Sequence, residues 1–272
     1  MDDATLAALE HENLIETFTS GIGNAPGHLV RRRYGVALLA SGLPVRFFNQ
    51  VEIENESATD DAVAAAVAAM RQRAMPFVVF LRRGIDDRFR PLLEQLGLVL
   101  PADHEPLPGM ALHSIPAATS PVPAGHEIRR ATDDAGVEDH LRTAALGFGM
   151  PEDMLRAIVP PDTWRRPGTS VYVGYTDGQP VTTGYGRRTG RTIGVYNIAT
   201  IESARRQGLG AAMTERVAAD GAADGCDVAV LQASPMGLPI YERLGYRTVV
   251  EYDGWVEPAP APGNEAPSGA PS

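Results

Sequence analysis

The stretch SARRQGLGAAM, residues 203–213, places two adjacent arginines beside a Gly-x-Gly pattern, directly before an alanine-rich run. A predicted strand ends near Ile201, and from Gln207 onwards apolar residues recur every four positions, which predicts a helix of about sixteen residues. The first N–H groups of a helix lack intrahelical partners, and glycines let a ligand approach the backbone closely. The pattern therefore predicts an anion site, although an ordinary helix start with solvated arginines would look the same.

The composition is that of an ordinary globular protein, with 44% hydrophobic and 21% charged residues among 272. The formal net charge of −10 argues against a nucleic-acid partner, which usually requires a basic surface. The single cysteine, Cys226, and the scattered histidines predict neither a disulfide nor a metal site. The acidic beginning is unlike a signal peptide, and no apolar run reaches the roughly 18 residues of a membrane helix. We predict a cytoplasmic protein without a membrane partner.

Two segments rich in proline and alanine divide the chain. Residues 114–125, SIPAATSPVPAG, carry three prolines and no charge and are predicted to be a linker. Residues 257–272 cannot bury much apolar surface and are predicted to be a disordered tail. The same order of predicted elements, strand, helix, strand, short helix, glycine and strand, occurs on both sides of the linker. We therefore predict an internal duplication, with domains at residues 1–113 and 126–256.

The individual elements follow from local patterns. Alternating apolar residues bounded by turn residues predict strands, and apolar residues every three to four positions predict helices. An Asp177-Gly178 turn between two predicted strands indicates a hairpin. Helices are predicted within residues 59–74, 86–97, 133–146, 147–159, from 207 onwards and within 238–245; strands are predicted within 30–40, 44–54, 76–83, 106–112, 126–131, 170–188, 191–201, 227–234 and 246–256.

A second motif follows the first by some thirty residues: VAVLQASPMGLPIYERLGYR, residues 228–247. Taken with residues 196–213, it resembles the acyl-coenzyme-A-binding core of the GNAT acetyltransferase superfamily. That core has a strand ending in valine, then R/Q-x-x-G-x-G/A, then a strand and Asn-x-x-Ala-x-x-x-Tyr-x-x-x-Gly-Phe. The resemblance covers about residues 127–256. It implies an α/β fold with a mixed, mostly antiparallel central sheet flanked by helices, and the first half resembles a degenerate second copy.

The resemblance implies roles for individual residues. The backbone of Ile198, Ala199 and Thr200 should pair with the pantetheine arm of acetyl-CoA, with Thr200 where the family often has valine. Ser234 stands in place of the usual asparagine, and Gly237 in place of alanine. Tyr241 matches the tyrosine that protonates the departing thiolate. The diphosphate should be held by the arginine side chains and the backbone amides of the turn, which comprises Arg205, Arg206, Gln207, Gly208, Leu209, Gly210 and Ala211.

The implied reaction is acetyl transfer from acetyl-CoA to a primary amine in a ternary complex. A positioned phenol suits this chemistry because the reaction expels a thiolate that needs a proton. The sequence identifies no general base, since Glu202, Glu152, Asp153 and His140 are each explained by capping or surface roles. Residues 147–154 and 160–168 fall where the family has its acceptor loops. Within these loops Phe148, Met150 and Trp164 either line a pocket or make packing contacts.

The first half lacks the anion-binding features of the second. Its corresponding turn, VEIENESATDDAV (residues 51–63), has no glycine. Carboxylates near a helix start would repel a diphosphate, so we predict a domain without cofactor that packs, forms a homodimer or shapes the acceptor cleft. Two alternatives remain: a non-catalytic acyl-CoA-binding regulatory protein and an enzyme for longer acyl-CoA. The acceptor is predicted to be a small-molecule or peptide amine. The carboxylates expected to crowd the helix start are Glu52, Glu54, Glu56, Asp60 and Asp61.

Overall fold

The structure is a computed structural model that describes residues 1–116 and 121–258. The predicted linker is therefore described only in part, and nearly all of the predicted tail lies outside the described residues. The helices are α1 (Asp3–Ile22), α2 (Asp60–Gln72), α3 (Arg90–Gln95), α4 (Asp134–Phe148), α5 (Glu152–Ile158), α6 (Leu209–Ala223) and α7 (Leu238–Arg243). The strands are β1 (Leu29–Arg33), β2 (Val36–Ala40), β3 (Asn49–Ile53), β4 (Val78–Arg82), β5 (Leu107–His113), β6 (His126–Arg130), β7 (Thr169–Thr176), β8 (Gln179–Thr189), β9 (Thr192–Thr200), β10 (Val228–Gln232) and β11 (Arg247–Val256).

All eleven strands belong to one sheet, in the order β1-β2-β3-β4-β11-β5-β10-β9-β8-β7-β6. Neighbouring strands are antiparallel except for two parallel pairs, β3 with β4 and β9 with β10. The predicted mixed, mostly antiparallel sheet is confirmed. The Asp177-Gly178 hairpin joins β7 to β8, and both turn residues have the positive φ that a tight hairpin of this kind requires.

The last strands of the two halves are exchanged. Strand β5 comes from the first half but pairs with β10 of the second, and β11 comes from the second half but pairs with β4 of the first. The two exchanged strands also pair with each other at the centre of the sheet. The predicted domain boundaries stay predictions, but the hydrogen-bonded sheet runs continuously across them.

Helices cover both faces of this sheet. On one face, α2 packs on the first half and α6 on the second, each over its own apolar cluster. Helix α6 approaches β8 closely because Gly184 has no side chain: a Cβ there would lie 2.7 Å from Cγ of Met213. The opposite face is covered by α4 over the second half and by α1 over the centre. Among the described residues, no helix is both long enough and apolar enough to cross a membrane.

Helix α1 was not predicted from the sequence. Its start is stabilised by Asp2, whose carboxylate accepts a hydrogen bond from the backbone N–H of Thr5 at 2.9 Å. Its buried face combines apolar residues with three buried polar ones, so the usual contrast between an apolar and a polar face is weak. The buried residues are Leu6, Ala7, Glu10, His11, Asn13, Leu14, Ile15 and Ile22.

Candidate functional site

A cleft opens between the two parallel strands at the centre of the second half. Strands β9 and β10 pair at three positions, which end at Gly194 opposite Val230. Strand β9 continues to Thr200, and beyond Gly194 the described residues provide no strand partner on its β10 side. Ile198 from β9, Ser234 after β10 and Tyr241 from α7 line one common cavity at this opening. The two sequence motifs therefore meet across the cleft.

A β-bulge bends β9 where the cleft opens. Thr183 of β8 lies opposite Ala199 and Tyr185 lies opposite Tyr196, so β9 has one extra residue between these pairs. Within this bulge Asn197 adopts a positive φ of 50°, and its carbonyl accepts a hydrogen bond from the Thr183 hydroxyl at 2.8 Å. A bulge of this kind disrupts the ladder and increases local twist, which separates β9 from β10. Ile198, Ala199 and Thr200 follow directly at the open edge.

The turn into α6 leaves its first N–H groups available. Gly208 is the N-cap residue, with φ 82° and ψ 0°, and among the described residues no side chain caps the helix. A Cβ at Gly208 would meet only Cγ of Pro123, at 3.9 Å, and one at Gly210 would come no closer than 3.9 Å to Ile198. Arg206 and Gln207 are exposed beside the turn, whereas the Leu209 side chain is buried. Uncapped N–H groups beside exposed positive charge form a suitable cradle for an anionic group.

Arg205 has a different environment from Arg206. Its guanidinium donates hydrogen bonds to the carbonyls of Thr200 and Gly147, both at 3.1 Å. In this structure it therefore connects the end of β9 to α4. The predicted contact between Arg205 and a phosphate stays a prediction.

Tyr241 lies at the edge of the cleft. Burial raises the pKa of its phenol to about 12, so the hydroxyl stays protonated at neutral pH. Gly237 allows the ring to lie close, because a Cβ there would come 2.7 Å from Cε2 of Tyr241. The Ser234 hydroxyl accepts a hydrogen bond from the Gly237 N–H at 3.2 Å and so helps to fix the same turn. Cys226 is buried elsewhere and does not line the cavity.

The cavity extends from the cleft to the sheet face covered by α1 and has a volume of about 390 Å³. The second half contributes Phe148, which the sequence named as a candidate. The other two candidates pack elsewhere: Met150 and Trp164 lie against the apolar cluster under α4, and the Trp164 indole donates to Asp134 at 2.6 Å. Part of the remaining wall was missed because α1 and the short 3-10 turn before β3 were not predicted; they supply Thr17, Phe18, Gly21, Ile22, Phe47 and Phe48.

A buried carboxyl lies behind the cavity. Glu10 of α1 is fully buried and accepts hydrogen bonds from the side-chain amide of Gln232 and the hydroxyl of Tyr252. Gln232 lines the cavity, so Glu10 orients a cavity-facing amide without contacting the cavity itself. Burial raises the pKa of Glu10 from its ordinary 4.5 to about 7. No local sequence pattern indicates this pair, because Glu10 and Gln232 are 222 residues apart.

The raised pKa of Glu10 predicts that the stability of the protein depends on pH. The protonated carboxyl of Glu10 contributes to the free energy of unfolding, because its ionisation in the buried site opposes folding. This contribution is complete below about pH 4.5 and is lost as pH rises to about 7. The Glu10→Gln variant cannot ionise at this position. The difference in free energy of unfolding between the variant and the wild type should therefore rise by about 3 kcal/mol from about pH 4.5 to about pH 7. Urea denaturation of both proteins across this range measures the difference. A difference for Glu10→Gln that stays flat across this pH range would contradict the prediction.

The corresponding strands of the first half remain paired. Strands β3 and β4 pair as far as Glu52 opposite Phe80, which leaves a single further residue in β3. Helix α2 is capped by Thr59, whose hydroxyl accepts a hydrogen bond from the Ala62 N–H. The expectation that Glu52 crowds this helix start is wrong, because strand alternation points its side chain to the opposite face, where it is buried. Glu54 forms an ion pair with Arg32. The predicted absence of a cofactor stays a prediction.

Comparisons with known proteins agree with this geometry. Residues 167–248 match the family model described as "Acetyltransferase (GNAT) domain". A solved structure of a GCN5-related N-acetyltransferase from Kribbella flavida has a TM-score of 0.69 and 18% identity, covering 91% of this chain and 95% of that one. One from Sphaerobacter thermophilus has a TM-score of 0.58 and 14% identity, covering 82% and 80%. No curated protein matches the chain in sequence.

A tandem GNAT protein from the clavulanic acid biosynthesis pathway also shares the fold, with a TM-score of 0.58, 14% identity and coverage of 87% of this chain and 85% of that one. These similarities confirm the predicted fold class and the predicted resemblance. Residues 167–248 thus match the model of a GNAT acetyltransferase domain, and the fold of the chain resembles that of solved GCN5-related N-acetyltransferases.

Proposed function

We propose that the protein transfers an acetyl group from acetyl-CoA to a primary amine, directly and within a ternary complex. The observation that carries this proposal is the cleft between β9 and β10. It connects the uncapped start of α6 to Tyr241 and to a cavity large enough for a small acceptor. The match to a GNAT domain model supports acetyltransferase chemistry in general; acetyl-CoA as donor and a primary amine as acceptor are what the resemblance implies, and the cleft is compatible with both.

The residues of the cleft fit a coenzyme A molecule. Gly208 and Gly210 leave open space where side chains would block a diphosphate. The free N–H groups from Arg206 to Ala211 and the exposed Arg206 side chain would hold it. The unpaired edge of β9 at Ile198–Thr200 offers backbone hydrogen bonds to the two amides of the pantetheine arm. Ser234 faces the same arm from the other side of the cleft.

The bound thioester supplies an activated acetyl carbonyl. During transfer a C–N bond forms and the C–S bond breaks; the nitrogen loses one proton and the sulfur gains one. Tyr241 would donate the proton to sulfur, since burial keeps its hydroxyl protonated and the residue lines the cavity together with Ile198 and Ser234. A free N–H at the separated β9 strand would polarise the carbonyl oxygen. No side chain is assigned to remove the proton from nitrogen.

The decisive experiment is a thiol-release assay with acetyl-CoA and a panel of primary amines, combined with calorimetric measurement of coenzyme A binding. We expect coenzyme A to bind and free thiol to appear only when a suitable amine is present. A protein that binds coenzyme A but releases no thiol with any amine would instead be a non-catalytic acyl-CoA sensor. Substituting hexanoyl-CoA for acetyl-CoA tests the alternative donor, which should be the poorer substrate.

We also propose that residues 1–113 form a domain without its own cofactor that shapes the acceptor side of the cavity. Two observations support this proposal: β3 and β4 stay paired where β9 and β10 separate, and Thr59 already occupies the start of α2. Phe18, Phe47 and Phe48 from this half line the cavity.

A further inference from the structure

We propose that the amine acceptor is a small molecule with an aromatic or bulky aliphatic group and no charge apart from the amine. The inference rests on the proposed function and specifies its substrate class. It is carried by the chemistry of the cavity walls beyond Tyr241 and Ser234, which no sequence motif describes.

The cavity contains no side chain that would bind a charged substituent. None of the described residues that line it is acidic, basic or a histidine. A second ammonium group, as in a polyamine or an aminoglycoside, would lose its hydration there without gaining a carboxylate partner. A carboxylate, as in an amino acid, would lack an arginine or lysine for the same reason. The cavity therefore selects against charge on the part of the acceptor that it encloses.

Aromatic rings form the walls. Phe18 of α1 packs edge-on against Phe47, with ring centroids 5.3 Å apart, and Phe47 packs similarly against Phe48 at 6.1 Å. Tyr185 and Phe148 contribute two further rings from the second half. Aromatic side chains bind another ring through its buried area and through edge-to-face contacts. A ring on the acceptor fits this arrangement of walls.

Two of these rings are exposed. Phe47 is 42% exposed and Phe148 is 48% exposed, and both are at the rim although they come from opposite halves of the chain. Exposed apolar side chains at a cavity rim indicate contact with a ligand that enters from solvent. An acceptor must enter and leave separately from the cofactor, whereas an acyl chain arrives attached to it. The open aromatic rim therefore favours the acceptor as the occupant.

The lining of the cavity also includes polar side chains. Gln232 is oriented by Glu10, and the Tyr196 hydroxyl donates to Asn13 at 2.7 Å. Asn197 lies in the bulge of β9 beside Ile198. These polar groups suit an amphipathic acceptor, whose amine would hydrogen-bond to them while its apolar group contacts the aromatic rings.

Matched amines test this substrate class with acetyl-CoA as donor. We expect kcat/KM for 2-phenylethylamine to exceed that for ethylamine, which lacks the ring, at least tenfold. It should also exceed at least tenfold the values for phenylalanine, which adds a carboxylate, and for spermidine, which adds charged amines. A preference for spermidine or phenylalanine would overturn the inference while leaving the acetyltransferase proposal intact.

A variant at the rim tests whether the preference for 2-phenylethylamine arises from the cavity. Phe47→Ala should raise KM for 2-phenylethylamine about tenfold, with little change for ethylamine or in the affinity for acetyl-CoA. Ile85→Ala, at an exposed apolar residue outside the cavity, is the matched control and should change neither substrate. If Phe47→Ala instead alters the KM of hexanoyl-CoA, the cavity holds an acyl chain and the inference is wrong.

Equilibrium binding separates this inference from the proposed function. Radiolabelled 2-phenylethylamine should bind the coenzyme-A-loaded protein and bind at least tenfold more weakly to Phe47→Ala. Binding without turnover of any amine would support the cavity assignment but contradict the acetyltransferase proposal. No saturable binding of 2-phenylethylamine would overturn the inference even if other amines were acetylated.

Discussion

Gly208→Asp should lower the affinity for coenzyme A about 100-fold or more, whereas Gly208→Asn should lower it less than about tenfold. The aspartate places a negative charge at the start of α6, beside the N–H groups assigned to the diphosphate. Two unit charges about 4 Å apart near a protein surface repel each other by about 4 kcal/mol, which exceeds what a 100-fold loss requires. The substitution should not disrupt the fold, because the space around Gly208 is open.

Asparagine is the matched control because it has the same shape as aspartate and must adopt the same backbone conformation at this position. Both variants replace a glycine at φ 82°, and asparagine and aspartate tolerate the left-handed region better than most residues. Calorimetry on both variants and the wild type measures the affinity, and thermal unfolding checks that the two variants are equally stable. The wild type should bind one coenzyme A per chain, as expected if the first half binds none. Equal affinities for the two variants would contradict the assignment of the α6 start as the diphosphate site.

Tyr241→Phe should lower kcat about 100-fold while changing the dissociation constant of acetyl-CoA less than about twofold. A positioned general acid typically contributes between about 100-fold and 10,000-fold to rate. The ring would remain in place against Gly237 and Tyr246, so only the hydroxyl is lost. Steady-state kinetics by thiol release, with calorimetry for binding, separate the two effects.

Tyr246→Phe is the control for this substitution. Tyr246 lies next to Tyr241, with ring centroids 6.1 Å apart, but its hydroxyl is buried, has no hydrogen-bond partner in the described part of the chain and does not line the cavity. Removing that hydroxyl should leave kcat within about twofold of wild type, because the group touches no reacting atom. Equal losses in the two variants would point to a packing effect and would remove Tyr241 from the mechanism.

The elements that were predicted correctly have strong local signals. Helix α6 follows a Gly-x-Gly turn with regular apolar spacing, and the β7–β8 hairpin is determined by Asp177-Gly178. Helix α1 was missed because Glu10, His11 and Asn13 occupy its buried face. Those polar residues are stabilised by partners far away in sequence, such as Tyr252 and Gln232, so no local pattern could indicate that they are buried.

The residues of the candidate site also differ in whether the sequence could predict them. The sequence motifs located the start of α6, Ser234 and Tyr241. The structure places Ser234 and Tyr241 in one cavity with Ile198, and Gly210 at the start of α6 lies next to Ile198. The wall formed by Phe18 and Phe47 was beyond prediction, because it depends on how the first half packs against the second. Glu52 was misplaced for a related reason: its position in the chain is next to the turn, but the alternation of β3 directs its side chain towards α1.

The exchange of β5 and β11 has a consequence for how the protein is made. Strand β11 joins the two parts of the sheet, since it pairs with β4 on one side and β5 on the other. During synthesis β4 and β5 leave the ribosome long before residues 247–256, and until then each has an unpaired edge towards the missing strand. Such edges favour misassociation, and pairing over long sequence separation is slow. We therefore expect the first half to stay incompletely folded until the second is nearly complete, so that neither half can be expressed alone as a folded domain.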